Sequence, residues 1–295
     1  MIIEQNRELE IMRFLVKYWY KYFSAYEIAK ETEISAPTVY KIIKKFEQKE
    51  LLKKDGKKIQ IDFNNFFAYS FKLSYDAERL SELKTEDKNK TKGVYNMFKS
   101  EYGIGLLAFM IFGSAASDEQ TAKSDIDFLV VVNKKKEIDY RKKGILSFEN
   151  LNIIEKTQDE FESDYLFAND LILNALMNGI ILFDNGIINF LLNKPLPAPS
   201  YKVIESKKER LETLKGRLLV LLKNKNYKEL VEQLKLYIIE KARIKFLEKG
   251  IIPSSRKYII DNLNSIDKQL CKDYNSLSEK NVKEVLQKNV WKSQK

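Results

Sequence analysis

"MIFGSAASDEQTAKSDIDFLVVV", residues 110–132, decides how this chain is read. An apolar run ends in Gly113-Ser114, a polar loop follows, and a second apolar run is entered through Asp125 and Asp127. Side chains alternate along a strand, so these two aspartates share a face, about 7 Å apart along the backbone. Two converging carboxylates at a sheet edge suit one or two Mg²⁺ (or Mn²⁺) ions, with water and substrate phosphates taking the other positions. Gly113 lets backbone approach a phosphate. The Ser114 hydroxyl and nearby N–H groups at the start of a short helix can donate to its oxygens.

Around this motif, residues 105–112, 125–133, 151–156 and 180–183 read as strands. Helical periodicity covers 92–102 and 159–178, the second opened by a Thr157/Glu160 capping box and stopped at Gly179. These elements predict an α+β domain with a small mixed sheet.

A lone Asp-x-Asp is common, but strand, Gly-Ser, polar loop, Ser-Asp-Ile-Asp and strand together are specific. The combination resembles the signature of the polymerase-beta-like nucleotidyltransferase superfamily, in particular its minimal branch. The resemblance implies transfer of a nucleoside monophosphate from an NTP to a hydroxyl of an RNA, a protein or a small molecule. Asp125 and Asp127 would then be the catalytic, metal-holding pair, and Gly113, Ser114 and Ser124 would bind the nucleotide. The family also implies a third carboxylate from a later strand. Asn152 stands at that place; an amide is a weaker metal ligand and cannot act as a base. Glu149 and Glu155 are the alternatives, although strand register puts both on the face opposite Asn152.

Ahead of this segment, apolar residues recur at helical spacing over 11–22. A short helix starts at Ser24, with Glu27 completing a capping box, and another at Ser35, with Pro37 in its first turn. "LLKKDGKKIQIDF" then alternates around Asp55-Gly56 as a hairpin. "SAYEIAKETEISAPTVYKIIKKFEQKELLKK" resembles the winged helix-turn-helix of small archaeal and bacterial regulators. The resemblance implies a DNA partner, met by Thr38, Tyr40, Lys41, Lys44 and Lys45 on the third helix and Lys57 and Lys58 on the hairpin. It also allows a homodimer, since such regulators often pair.

After "KPLPAPS", residues 194–200, the pattern is helical throughout, with Tyr227, Leu230, Val231, Leu234, Ile238 and Ala242 on one face of a long helix that ends at Gly250. Pro253-Ser254 is expected to open a further short helix. "IIEKARIKFLEKGIIPSSRKYIIDNL" resembles the HEPN-like helical domain that accompanies minimal nucleotidyltransferases, in some cases within toxin-antitoxin systems. HEPN ribonucleases need an arginine followed by histidine, and the chain contains no histidine.

The expected organisation is therefore multidomain: a winged helix-turn-helix at 1–75, a charged linker at 76–92, a nucleotidyltransferase domain at 93–194, a proline-rich linker at 195–200 and a basic helical bundle at 201–295. Of the net +10 charge, the segment 201–295 alone carries 23 basic against 12 acidic residues. That surplus favours RNA or an acidic protein as a partner of these helices. The absent histidines exclude Ser-His-Asp triads and histidine-metal sites, and the single Cys271 excludes an intramolecular disulfide. No apolar run approaches the roughly 20 residues needed to span a bilayer, and the acidic N-terminus is unlike a signal, so a cytoplasmic protein is expected. The sequence thus supports a nucleotidyltransferase coupled to a DNA-binding domain. The alternative is a transcriptional regulator with a degenerate, nucleotide-sensing domain.

Overall fold

The computed structural model describes residues 6–116, 125–138, 151–253 and 256–291. The chain is mixed α+β and mostly helical, with one small mixed sheet. It divides into two compact units, Met1–Asp164 with Leu171–Leu196, and Tyr165–Asp170 with Pro197–Lys295.

The first unit opens with α1 (Asn6–Lys17), α2 (Ala25–Thr32) and α3 (Ala36–Gln48), followed by the antiparallel pair β1 (Leu52–Asp55) and β2 (Lys58–Ile61). The Ser24/Glu27 capping box forms, and Pro37 sits in the first turn of α3, where its missing N–H costs little. Gly56 takes the positive φ of 57° that the hairpin turn requires. The first helix lies earlier than the expected 11–22. It stops before Tyr18, and the buried Trp19 leaves the helix to donate its indole N–H to the Leu176 carbonyl at 3.2 Å.

Residues 76–92, expected as a charged linker, are mostly helical: α4 (Phe66–Glu82) and α5 (Thr85–Tyr102) run through them. The charges misled because Asp76 in α4 and Asp87 in α5 are buried and Arg79 is mostly so. Asp76 is fully buried, and its carboxylate accepts from Lys72, from Arg79 Nη1 at 3.1 Å and from the Ile181 N–H at 2.9 Å. Arg79 also donates to the carbonyls of Asn178 (2.7 Å), Gly179 (3.0 Å) and Ala116. Three charged residues at helical spacing thus do the work an apolar stripe would otherwise do. They join α4 to the sheet and to the turn after its central strand.

That sheet runs in the order β5-β4-β3-β6, with β3 (Leu106–Phe112), β4 (Ile126–Val132), β5 (Leu151–Thr157) and β6 (Ile180–Asp184). Only the β4–β5 pair is parallel. Phe109, Ile111, Ile126, Phe128, Val130 and Val132 pack with Val94, Phe98 and Tyr102 of α5, so one sheet face is a dry core. The single helix expected over 159–178 is two, α6 (Gln158–Leu166) and α7 (Asp170–Asn178). They are separated where Ala168 adopts a φ of 53°, a conformation no helix can continue through. At Gly179 an added Cβ would run into the Ala175 and Ile111 carbonyls. A short helix, α8 (Ile187–Leu192), follows β6, and its first N–H groups are capped by the Asp184 carboxylate.

Residues 195–200 carry neither helix nor strand. The second unit is built on α9 (Tyr201–Lys223) and α10 (Tyr227–Glu248), joined by a tight turn at 224–226. Around them lie α11 (Arg256–Asp261), α12 (Leu263–Ile266), α13 (Lys268–Ser276), α14 (Val282–Leu286) and a final π-helical turn, Gln287–Trp291. The helix expected at Pro253-Ser254 starts at Arg256; Ser254 lies outside the described residues. Leu230, Leu234, Ile238 and Ala242 are buried as their periodicity predicts, packed with Ile259, Leu270 and Leu286. Among the described residues no helix is long and apolar enough to cross a membrane.

Two buried charge sets can be tested by substitution. Asp76→Ala leaves Lys72 and Arg79 without their carboxylate, and chemical denaturation is expected to show a loss of about 3–5 kcal/mol. Lys72→Met with Asp76→Leu removes both buried charges and is expected to cost less than Asp76→Ala alone. In the second unit, Asp170 is mostly buried against Lys207 and Arg243, the latter at 2.5 Å. Burial would raise its carboxyl, and the two cations outweigh burial and hold it below the ordinary carboxylate range. A depressed carboxylate stabilises above its unfolded pKa and loses that contribution as pH falls through the folded value. Asp170→Asn is therefore expected to cost about 3 kcal/mol at neutral pH, a difference that closes in acid unfolding below about pH 4.

Candidate functional site

The site is assembled at one end of the two central strands. Asp127, the second residue of β4, stands opposite Phe112 on β3 and opposite Asn152 on β5. Its neighbours Ile126 and Phe128 belong to the core against α5, so alternation places Asp127 on the other face of the sheet. Because β4 and β5 are parallel and in register, Asn152 lies beside Asp127, and its Nδ2 donates to Asp127 Oδ1 at 2.8 Å. The chain leaves β3 through a 3₁₀ turn, Gly113–Ala115. Gly113 has a φ of 74°, and a Cβ built there would collide with Asp127 Oδ2. Two independent constraints, a left-handed backbone and a carboxylate against the Cα, thus require glycine.

Asp125 precedes β4 and is exposed; Asp127 is half-buried. Burial pushes the Asp127 carboxyl above its ordinary range, the Asn152 amide works against this, and the negative charge of Asp125 adds to it. Among the described residues neither aspartate forms an ion pair with a lysine or arginine, and no group of three or more His, Cys, Asp and Glu is placed to hold a metal. The donor set is two repelling carboxylates, one partly desolvated, with open access to water. Such a set fits a hard divalent cation that keeps most of its coordination for water and phosphate oxygens.

Of the residues expected here from the sequence, all but Ser124 and Glu149 are placed. Asn152 occupies the position of the expected third acid. Glu155 points away from it and accepts from the Tyr102 hydroxyl at 2.8 Å, so it does not replace that acid. Glu149 and Ser124 lie outside the described residues. Ser114 is half-buried next to Gly113, and its hydroxyl makes no hydrogen bond among the described residues. Arg79 escaped the sequence reading. It grips the Ala116 carbonyl and so holds the end of the Gly113 turn against α4 and the end of α7. The visible signal was Lys72, Asp76 and Arg79 at spacings of four and three on one helix face.

Of the residues expected to meet DNA, Tyr40, Lys41 and Lys44 are exposed together on α3, opposite the buried Val39, Ile42, Ile43 and Phe46. Lys57 is exposed in the hairpin turn, and Lys58 lies 3.8 Å from Glu27. Lys45 instead turns inward: its ammonium bonds both oxygens of the buried Glu8 at 2.8 and 3.0 Å. Thr38 is half-buried and shares a 2.8 Å hydrogen bond with Ser35.

No curated protein matches the chain by sequence. Among solved structures, it is similar to a nucleotidyltransferase-like protein from Exiguobacterium sibiricum, at 14% identity and a TM-score of 0.37 over 66% of this chain and 71% of that one. It is also similar to the spectinomycin adenyltransferase AAD(9) from Enterococcus faecialis, solved with ATP and spectinomycin, at 15% identity and a TM-score of 0.42 over 69% of this chain and 90% of that one. The segment that carries Gly113, both aspartates and Asn152, residues 94–186, matches the family Polymerase beta, Nucleotidyltransferase.

Proposed function

We propose that the chain is a Mg²⁺-dependent nucleotidyltransferase that moves a nucleoside monophosphate from an NTP to a hydroxyl of an RNA, a protein or a small molecule. The observation that carries this reading is the packing of the Gly113 backbone on the carboxylate of Asp127, beside Asp125 and with no ion pair to balance the two charges among the described residues. Asp125 and Asp127 would hold the cation, which when bound would neutralise phosphate charge. The Gly113 turn, with the Ser114 hydroxyl, offers donors to the triphosphate. In the transfer, the acceptor oxygen would form a bond to the α-phosphorus and lose its proton to water, the bond from that phosphorus to the bridging oxygen would break, and pyrophosphate would leave. Asn152 cannot take the acceptor's proton, so transfer is slower than a three-carboxylate site would allow.

Calorimetry with Mn²⁺-ATP and Mn²⁺-CTP tests the site without knowledge of the acceptor. Asp125→Asn with Asp127→Asn is expected to weaken binding at least tenfold, and unchanged binding would sink the assignment. Asn152→Asp is expected to lower the melting temperature without Mg²⁺, because a third carboxylate joins two that already repel. It is also expected to gain more from added Mg²⁺ than the wild type does and to speed transfer of label from an NTP.

A second reading, a DNA-binding regulator, is favoured by the exposed row of Tyr40, Lys41 and Lys44 on α3. Read as a winged helix-turn-helix, helices α2 and α3 with the β1–β2 hairpin would place that row in the major groove and Lys57 at the phosphates. Under this reading Lys41→Glu with Lys44→Glu abolishes retention of duplex DNA in a gel-shift assay. Lys45→Ala leaves retention within about twofold while lowering stability, because it strips Glu8 of its partner.

A further inference from the structure

The second unit contains a cleft of about 320 Å³ lined by Leu222, Lys223, Lys225, Tyr227, Lys283 and Gln287. It lies where the α9–α10 turn meets α14. Three lysines and no carboxylate line it. The Lys283 ammonium stands 5.1 Å from the centroid of the Tyr227 ring, which holds that charge at the cleft. Lys223, Lys225 and Lys283 are exposed, and none forms an ion pair among the described residues, although the neighbouring acids do: Glu229 with Arg217, and Glu284 with Lys288. The nearby negative charge is thus already committed elsewhere.

The turn itself is built in an uncommon way. Lys225 has a φ of 55°, a conformation that favours glycine. The turn is nevertheless closed by backbone hydrogen bonds from Lys225 to Leu222 (3.1 Å) and from Asn226 to Leu221 (3.1 Å), and Asn226 caps α10. A fixed turn carries Lys225 and presents Tyr227 two residues later. The left-handed residue that ends α9 thus carries a long cationic side chain into the cleft lining.

We propose that this cleft binds the sugar-phosphate backbone of a single-stranded nucleic acid. The three ammonium groups would meet successive phosphates, and Tyr227 would supply an aromatic surface and a hydroxyl beside them. A lysine ammonium binds phosphate well as a point charge, and the Tyr227 ring beside the three charges offers a stacking face that a base can use and an acidic side chain cannot, so a nucleic-acid strand suits the cleft better than an acidic protein. The cleft has the size of a small-molecule site and so admits about one nucleotide unit, with the surrounding basic surface following the chain on either side. This site is separate from the carboxylate pair, and its test does not depend on nucleotidyl transfer.

The experiment is fluorescence anisotropy of the full chain with a labelled oligouridylate of about 20 nucleotides, long enough to exceed one binding site. Lys223→Gln, Lys225→Gln and Lys283→Gln together are expected to weaken binding tenfold or more and to lower the salt slope by about 2. A charge-matched control, Lys257→Gln with Lys268→Gln and Lys272→Gln, is expected to stay within about twofold, and circular dichroism checks that both variants keep the wild-type helical signal. Equal losses in the two variants, or no loss in the first, would overturn the proposal. So would displacement of the strand by tripolyphosphate or by polyglutamate at equal charge.

Discussion

The carboxylate of Asp76 is the constraint on which the first unit depends. A buried anion is tolerable only if it is paired and hydrogen-bonded, and Asp76 is both: Lys72 and Arg79 balance its charge, and the Ile181 amide fills a further acceptor position. Arg79 then spends its remaining donors on the exposed carbonyls that end α7 and on Ala116. Carbonyls at a helix end carry partial negative charge, so a guanidinium there is well placed. One polar cluster thereby sets the position of α4 against β6 and braces the turn from which the candidate site is built.

The candidate site shows a second use of charge. The Asp76 cluster closes upon itself, whereas Asp125 and Asp127 are left with their repulsion uncompensated among the described residues. Asn152 relieves part of it by donating to Asp127 and adds no negative charge. An aspartate at that position would strengthen cation binding and also raise the cost of the site when no cation is present. The amide is the choice that keeps the strand pair stable on its own.

Much of this was legible in the sequence. Strands β3 to β6 follow directly from short apolar runs bounded by turn residues, and the alternation within β4 placed Asp127 on a single face. Capping boxes at Ser24/Glu27 and Thr157/Glu160 marked real helix starts. What could not be read was long-range pairing of polar groups. The helices through 76–92 looked like a linker because burial of charge leaves no apolar period, and Lys45 looked like a surface cation because its partner Glu8 is 37 residues away. The break at Ala168 was hidden as well, since alanine favours helix and only the surrounding packing imposes its left-handed conformation.

The contact between Gly113 and Asp127 also orders how this site can drift. While the Asp127 carboxylate holds its present place, a side chain at 113 collides with its outer oxygen, so a change at Gly113 displaces that carboxylate as well as straining the left-handed backbone. Shortening Asp127 instead carries no steric cost and removes the collision at 113. The positive φ would still restrain position 113. A glycine kept beside a lost aspartate would therefore be held by the turn alone, whereas an aspartate kept beside a lost glycine would have its carboxylate swung away from the place it takes here.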